Sequence, residues 1–487
     1  MKLGLAGCTH NGDNNGPRCT PLLTSNRCLT FGAEGLGLPN REPRLACGRM
    51  SVRLGSRGSV FIPMIVFGAV LSFAGRGLGR AASPDRAVWP QFRGPGGHGR
   101  SETQGLPLTW SDERNVAWKT ALPGPGASSP VVQSDRVYLT CYTGYATSAR
   151  EPGDMSQLEY HLLCLHLADG RRLWEAKVRP KLPEQERIRE NHGYASSTPA
   201  TDGERVFAFF GKSGVLAFDV AGKQLWQTSV GTQLNGWGSA ASPVLYKDLV
   251  LVNASVESGA LVALNQKTGL EVWRAGGIKE SWHAPVLVPL ANGKTEVVVA
   301  IIRKILAFDP DQGEALWRCD TGINWYMCPT PVAQDGIIYS IGGRNPNGGL
   351  AVRAGGRGDV TQSHVVWRVN KGSNVPSPIL HDGHLYFAHE NLGVVYCVNA
   401  TTGEVLYEER LNPNPGQIYA SPVLAQGRIY YLGRGGRMAV VAARPAFEQL
   451  ADNSLEAGRG VFNASPAIAG SRLLLRSNRA LYCLAEK

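Results

Sequence analysis

A chain of 487 residues that is 43% hydrophobic and 18% charged has enough apolar content to bury a large core, which excludes a disordered or low-complexity polymer. Its formal charge of +11 is concentrated at one end: residues 1–83 hold ten Lys/Arg against three acids, leaving about +4 for the remainder. No basic run with interleaved aromatics follows, so nucleic acid is excluded as a partner.

Residues 1–49 show no usable periodicity and read as an over-extended gene start without a fold; the LAGC at residues 5–8 lacks the apolar stretch that a lipoprotein signal needs in front of it. Met50 opens a recognisable secretory signal over residues 50–82. It has the basic SVRLGSRGS, the apolar run Val60 to Ala74, and GLGRAAS with small Gly79 and Ala81 near a cleavage point. The 15-residue apolar run is too short for a stable membrane span. Residues 83–88 form a linker, and the expected location is exported, in the periplasm or at the cell surface.

From residue 89 to residue 487 the chain repeats itself. LCLHLADGRRLW, LAFDVAGKQLW, ALNQKTGLEVW, LAFDPDQGEALW and YCVNATTGEVLY write one turn five times. A short polar side chain opens it in most copies (Asp219, Asn265, Asp309, Asn399), because its oxygen can bond to backbone N–H groups just ahead. A glycine follows where positive φ is wanted, then a large aromatic four residues later. A second signature, (S/T)P or a variant of it, recurs at Pro130, Pro199, Pro243, Pro285, Pro331, Pro378, Pro422 and Pro466. From Pro199 onward the spacing is 42 to 47 residues, in the range of propeller blades. Runs such as RVYL, LVLV and IIYS between Gly, Asp and Asn read as antiparallel strands, and helical periodicity is nowhere sustained.

The expected fold is therefore all-β, an eight-bladed propeller of four-stranded antiparallel blades. The last unit has room for three strands, and the unpartnered NVAWKTAL around Trp118 would supply the fourth and close the ring. The weak turn of the seventh unit, MAVVAARPAFEQL, keeps seven blades open. Trp118, Trp174, Trp226, Trp273, Trp317 and Trp367 read as staples, each wedging an indole beside the glycine turn of the neighbouring blade.

Cys164, Cys397 and Cys483 share the repeat position held elsewhere by Ala217, Ala263 and Ala307, so they read as small core residues. Cys141 with Cys164, and Cys319 with Cys328, are the pairs that could oxidise after export. There is no CxxC or CxxCH and no nucleophile, metalloprotease or nucleotide motif, and His381 and His384 fall in a turn. No catalytic, cofactor or metal residue is assigned.

The combination of the (S/T)P marker with the D/N-x(3)-G-x(3)-W turn resembles the PQQ-like β-propeller repeats. This superfamily includes the quinoprotein alcohol dehydrogenases and BamB-like proteins. WPQFRGPGGHGRSETQGLPLTW and NVAWKTALPGPGASSPVV look like its exported, uncharacterised members in Planctomycetes. For the enzymes the resemblance implies pyrroloquinoline quinone, Ca²⁺ and an adjacent-cysteine disulfide, but this chain has no Cys-Cys pair and no matching carboxylates. The expectation is a monomeric, non-enzymatic scaffold for an envelope protein or peptide, without cofactor. A PQQ-dependent dehydrogenase with Ca²⁺ is kept as one alternative.

The other alternative is a small-molecule or glycan binder at the mouth of the central channel. Aromatics just upstream of the markers motivate it: Tyr194, Trp237, Trp282, Trp325, Tyr326, Tyr419 and also Phe462. A loop site is expected around Arg357, Asp359 and Asn374, near the insertion at residues 344–364.

Overall fold

The computed structural model describes residues 87–148, 151–188, 192–344, 346–455 and 460–486. The readings of residues 1–86 as gene start, signal and linker lie outside them.

Each marker proline leads into a short inner strand, and three more strands follow by hairpins. In blade 1 these are Val131–Gln133, Arg136–Thr143, Glu159–His166 and Arg172–Val178, paired antiparallel in that order. Inner strands Ala200–Thr201, Val244–Tyr246, Val286–Pro289, Val332–Gln334, Ile379–His381 and Val423–Ala425 open blades 2 to 7. Blade 8 contains Ala467–Ala469, Arg472–Arg476 and Ala480–Leu484, and its outer strand is Val116–Ala121 from the other end of the ring. Trp118 stands opposite Cys483, and Lys119 opposite Tyr482. The eighth blade is thus closed by the strand that the sequence left unpartnered, and the ring has eight blades, not seven.

The interfaces between blades follow from one repeated contact. Trp118 Nε1 donates to Leu167 O of blade 1 at 2.9 Å, Trp174 to Val220 O at 2.9 Å, Trp226 to Gln266 O at 3.0 Å, Trp273 to Pro310 O at 3.1 Å, and Trp367 to Ala400 O at 2.8 Å. Each acceptor lies in the turn of the next blade. A Cβ added at Gly313 would come within 2.5 Å of the Trp273 ring, and Gly313 has φ +74°. That position therefore demands glycine for both its space and its backbone. Trp317 differs, because the turn it would meet is replaced by the insertion after Arg353. Its Nε1 bonds instead to Glu296 Oε2 at 2.7 Å, which also accepts from Gly355 N at 3.2 Å.

Directly across the hairpin from each indole stands a small residue: Ala217 opposite Trp226, Ala263 opposite Trp273, Cys164 opposite Trp174 and Cys483 opposite Trp118. A strand irregularity follows immediately. A large side chain there would compete with the indole for the same layer.

All six cysteines of the described residues are free. Cys164 is opposite Tyr138, whereas Cys141, three residues along the same strand, is opposite His161. Odd spacing along a strand points two side chains to opposite faces, and the two sulfurs enter different core clusters. The Cys141–Cys164 pair, which the sequence left open, is not bonded for this reason. Cys319 packs in the core of blades 4 and 5 while Cys328 faces the channel, so that pair is not bonded either.

One segment has no counterpart in the repeats. Val88–Trp89 pairs with the inner strand of blade 1, and Arg100–Ser101 runs parallel to that of blade 7. Between them Pro90 O accepts from Thr201 N at 2.8 Å in blade 2, and the buried Arg93 guanidinium donates to Pro378 O at the start of blade 6. Residues 88–101 therefore form a strap across the axis of the ring.

A candidate binding funnel at the channel mouth

The connections between blades place the residues just upstream of each marker around the axis. The residue one before each marker proline, from Ser129 through Ser465, lines a single cavity of about 340 Å³. So does the residue three before, among them Trp282, Cys328, Tyr419 and Asn463. Phe92 of the strap lines the cavity too. The strap bonds at or beyond the markers while the aromatics lie upstream of them, so the strap closes the end opposite the mouth.

The inner layer is held by its own hydroxyls. Ser129 N donates to Thr198 Oγ1 at 2.8 Å and Thr198 N to Ser242 Oγ at 3.0 Å. Thr330 N, Ser377 N and Ser421 N donate in the same way to Ser377, Ser421 and Ser465, at 2.9, 3.0 and 2.9 Å. The series is interrupted at Ala284, which has no hydroxyl to offer.

Four of the six aromatics expected at the mouth line the cavity: Trp237, Trp282, Tyr326 and Tyr419. Tyr326 is their hub, with ring centroids 5.7 Å from Trp237 and 5.6 Å from Trp282. The Arg434 guanidinium covers the Tyr419 ring at 4.7 Å. The other two do not line it. Tyr194 is turned into the blade 1 core, edge-on to Tyr142 at 5.3 Å, with its hydroxyl on Gln185 O. Trp325 packs against the core of blades 4 and 5. Phe462 is fully buried and is not at the mouth either.

The expected loop site is divided. Arg357 and Asp359 lie on the outer edge of blade 4, where Gly358–Asp359 runs parallel to Ala315–Asp320 as a fifth strand. Asp359 pairs there with Arg318 at 3.3 Å and Arg357 with Glu296 at 3.6 Å. Asn374 instead faces the funnel.

Sequence reading missed the polar wall beside Asn374. Arg434 Nη1 donates to Gln417 Oε1 at 2.6 Å, Gln417 Nε2 to Asn391 Oδ1 at 3.0 Å, and Asn391 Nδ2 to Glu390 Oε1 at 3.2 Å. Glu390 Oε2 accepts from Asn374 N at 3.1 Å, and Asn374 Nδ2 donates to Tyr326 Oη at 3.3 Å. The recurring offset of three residues before each marker was the available signal for Cys328, Val375 and Asn463. Nothing in one sequence joins residues 374, 390, 417 and 434.

Burial governs the titratable groups here. It holds the His192 imidazole down to about 4, with its Nδ1 2.6 Å from Ser196 Oγ. Burial, then the neighbouring Glu390 carboxylate, pushes the Cys328 thiol up to about 12. Beside the funnel, burial raises Glu257 to about 7, against the opposing hydrogen bond from Ser239.

The family profile described as outer membrane protein assembly factor BamB matches residues 108–298, 221–332 and 303–481. The chain belongs to this family. It is a member of the PQQ-like propeller superfamily, and solved structures of both branches share its fold. BamB from Moraxella catarrhalis is 14% identical with a TM-score of 0.50, covering 75% of this chain and 98% of that one. Quinohemoprotein alcohol dehydrogenase from Comamonas testosteroni is 12% identical with a TM-score of 0.59, covering 83% and 82%. A stretch of 148 residues is 31% identical to quinoprotein alcohol dehydrogenase PedH of Pseudomonas putida, covering 28% of this chain. The chain thus spans about a quarter, 23%, of the length of that curated relative.

The donor set of the funnel bears on the quinone reading. Glu390 is the single carboxylate among the residues lining the cavity, and among the described residues no three His, Cys, Asp or Glu side chains converge. A divalent cation of the calcium type takes six to eight oxygen ligands, several of them carboxylates. These residues do not fit a calcium-held quinone, and no reaction step is derived through one.

Proposed function

We propose that this chain is an exported, monomeric, non-enzymatic propeller that serves as a scaffold for a protein partner in the cell envelope, in the periplasm or at the cell surface. Membership of the BamB family across residues 108–481 is the observation that carries this reading. Among the described residues no helix is long and apolar enough to cross a membrane. The working surface is the funnel face, which carries the connections at residues 179–188, 192–199, 229–243 and 411–422. Leu182, Leu234, Leu392 and Val461 stay exposed on its loops, and loops on a rigid frame are where recognition concentrates.

The test is photo-crosslinking in cells of a bacterium that carries this protein. A photoreactive residue is placed at 234, 392 or 461 on the funnel face, or at 270 or 272 near the opposite rim. A discrete protein adduct from the first set alone supports the reading. Adducts of equal yield from both sets, or none from either, refute it.

A second reading, a small-molecule or glycan binder at the channel mouth, is favoured by the aromatic-lined cavity with a strap closing its far end. The dehydrogenase reading has the 148-residue match in its favour, and the funnel's donor set weighs against it.

A further inference from the structure

We infer that the funnel is a saccharide site that accepts one or two neutral sugar rings. The inference rests on the second reading of the funnel and leaves the protein-partner reading independent of it.

The cavity has two unlike walls. Trp237, Trp282 and Tyr326, from the connections into blades 3 to 5, present aromatic surface about one hub. Across blades 6 and 7 runs the relay from Arg434 through Gln417, Asn391 and Glu390 to Asn374. Each planar group in that relay is oriented by its neighbour, so the wall is set before any ligand arrives, and preorganisation lowers the cost of binding.

The relay ends in an unmet demand. Asn374 is only 6% exposed, its Nδ2 is committed to Tyr326, and its Oδ1 has no hydrogen-bond partner. Ser129 Oγ and Thr330 Oγ1, both buried and both lining the same cavity, are likewise without partners. A buried polar atom left unsatisfied keeps the full penalty of its lost hydration. An apolar ligand would leave these atoms so, and the cavity wall carries one cation and one carboxylate, Arg344 and Glu390, a lining that favours a ligand without net charge. Sugar hydroxyls donate and accept at once, which suits an orphan amide oxygen and two orphan hydroxyls on the wall of one cavity. The C–H face of the same ring can lie against an indole, whose face is electron-rich. Ligand cavities usually measure about 300–1,000 Å³, so the present 340 Å³ fits one or two rings and not a long chain. With the strap across the far end, entry is from the mouth.

The experiment titrates the full-length chain with glucose, galactose, mannose, N-acetylglucosamine and their β-linked disaccharides. Tryptophan fluorescence and melting temperature are followed. The expected result is a saturable response to at least one of these sugars. Asn374→Leu and, separately, Tyr326→Phe should weaken it at least tenfold, while Leu270→Asp on the opposite rim leaves it unchanged. Two results overturn the inference: no saturable response to any of the sugars in a wild-type chain that melts cooperatively, or equal binding by the funnel variants and wild type. If the sugars fail and the crosslinks from positions 234, 392 and 461 persist, the saccharide reading falls and the scaffold reading stands.

Discussion

Glu257 offers a quantitative check on how deeply the funnel face is packed. Its side chain is buried beside the connection into blade 3, with Ser239 Oγ donating to Oε1. Burial raises its pKa from 4.5 to about 7, with a smaller contribution from Glu184 in the same direction. A carboxyl whose folded pKa lies above its unfolded one stabilises the fold as the neutral acid. That contribution is full below pH 4.5, declines as pH rises, and is gone above pH 7. Between pH 5 and pH 8 the linkage amounts to roughly 2.5 kcal/mol. Glu257→Gln keeps an acceptor for Ser239 and cannot ionise. Urea unfolding of wild type and variant at both pH values should therefore show the variant gaining on wild type by about that amount at pH 8. Parallel pH profiles for the two proteins would refute the burial argument.

Other expectations follow from the interfaces. Trp273→Ala, which removes an indole 8% exposed and bonded to Pro310 O, should cost about 3–5 kcal/mol in urea unfolding. Leu270→Asp in the adjacent turn, at a side chain 70% exposed, should change stability by no more than about 0.5 kcal/mol. Ser421→Ala strands the buried Ser377 N–H and should cost about 1–3 kcal/mol. Ala284→Ser supplies the hydroxyl missing from the inner layer and should gain about 0.5–1.5 kcal/mol; a loss of stability would show that blade 4 does not follow its neighbours. Cys328, with its thiol pushed up to about 12, should react with iodoacetamide at pH 8 far more slowly than a thiol in a short peptide, as peptide mass spectrometry would read.

What repeats was legible in the sequence, and what occurs once was not. The turn ending in Trp226 or Trp273 and the marker before it announce blades because each copy solves the same packing problem. Trp118 was legible as the closing strand because a unit missing one strand needs it. Trp237, Trp282, Tyr326 and Tyr419 were legible as mouth residues from their place upstream of the markers. Tyr194 shared that place, but its hydroxyl donates to Gln185 O in the connection into blade 2, which holds the ring away from the axis. Grouping Asn374 with Arg357 and Asp359 used distance along the chain, whereas Val365–Val369 separates a blade edge from the axis. The strap at WPQFRGPGG carries no alternation, so only a resemblance marked it.

The marker itself divides structure from recognition. One residue before the proline, five hydroxyls are spent on backbone N–H groups of the same layer, as in Ser377 to Ser421 and Ser421 to Ser465, while Ser129 Oγ and Thr330 Oγ1 are left without partners. Three residues before it, the chain carries Ala127, Ser196, Ala240, Trp282, Cys328, Val375, Tyr419 and Asn463, a set with no common chemistry and hence no common structural duty. Apart from the two orphan hydroxyls, selectivity in this ring therefore belongs to the residues three or more before the proline. Tyr419 and Ser421, two residues apart, should separate cleanly. Tyr419→Ala is expected to alter what the funnel binds while stability changes by less than about 1 kcal/mol; Ser421→Ala is expected to lower stability and leave selectivity as it was. If both substitutions moved both quantities together, the two layers would be one structural unit and the assignment of recognition to the outer layer would be wrong.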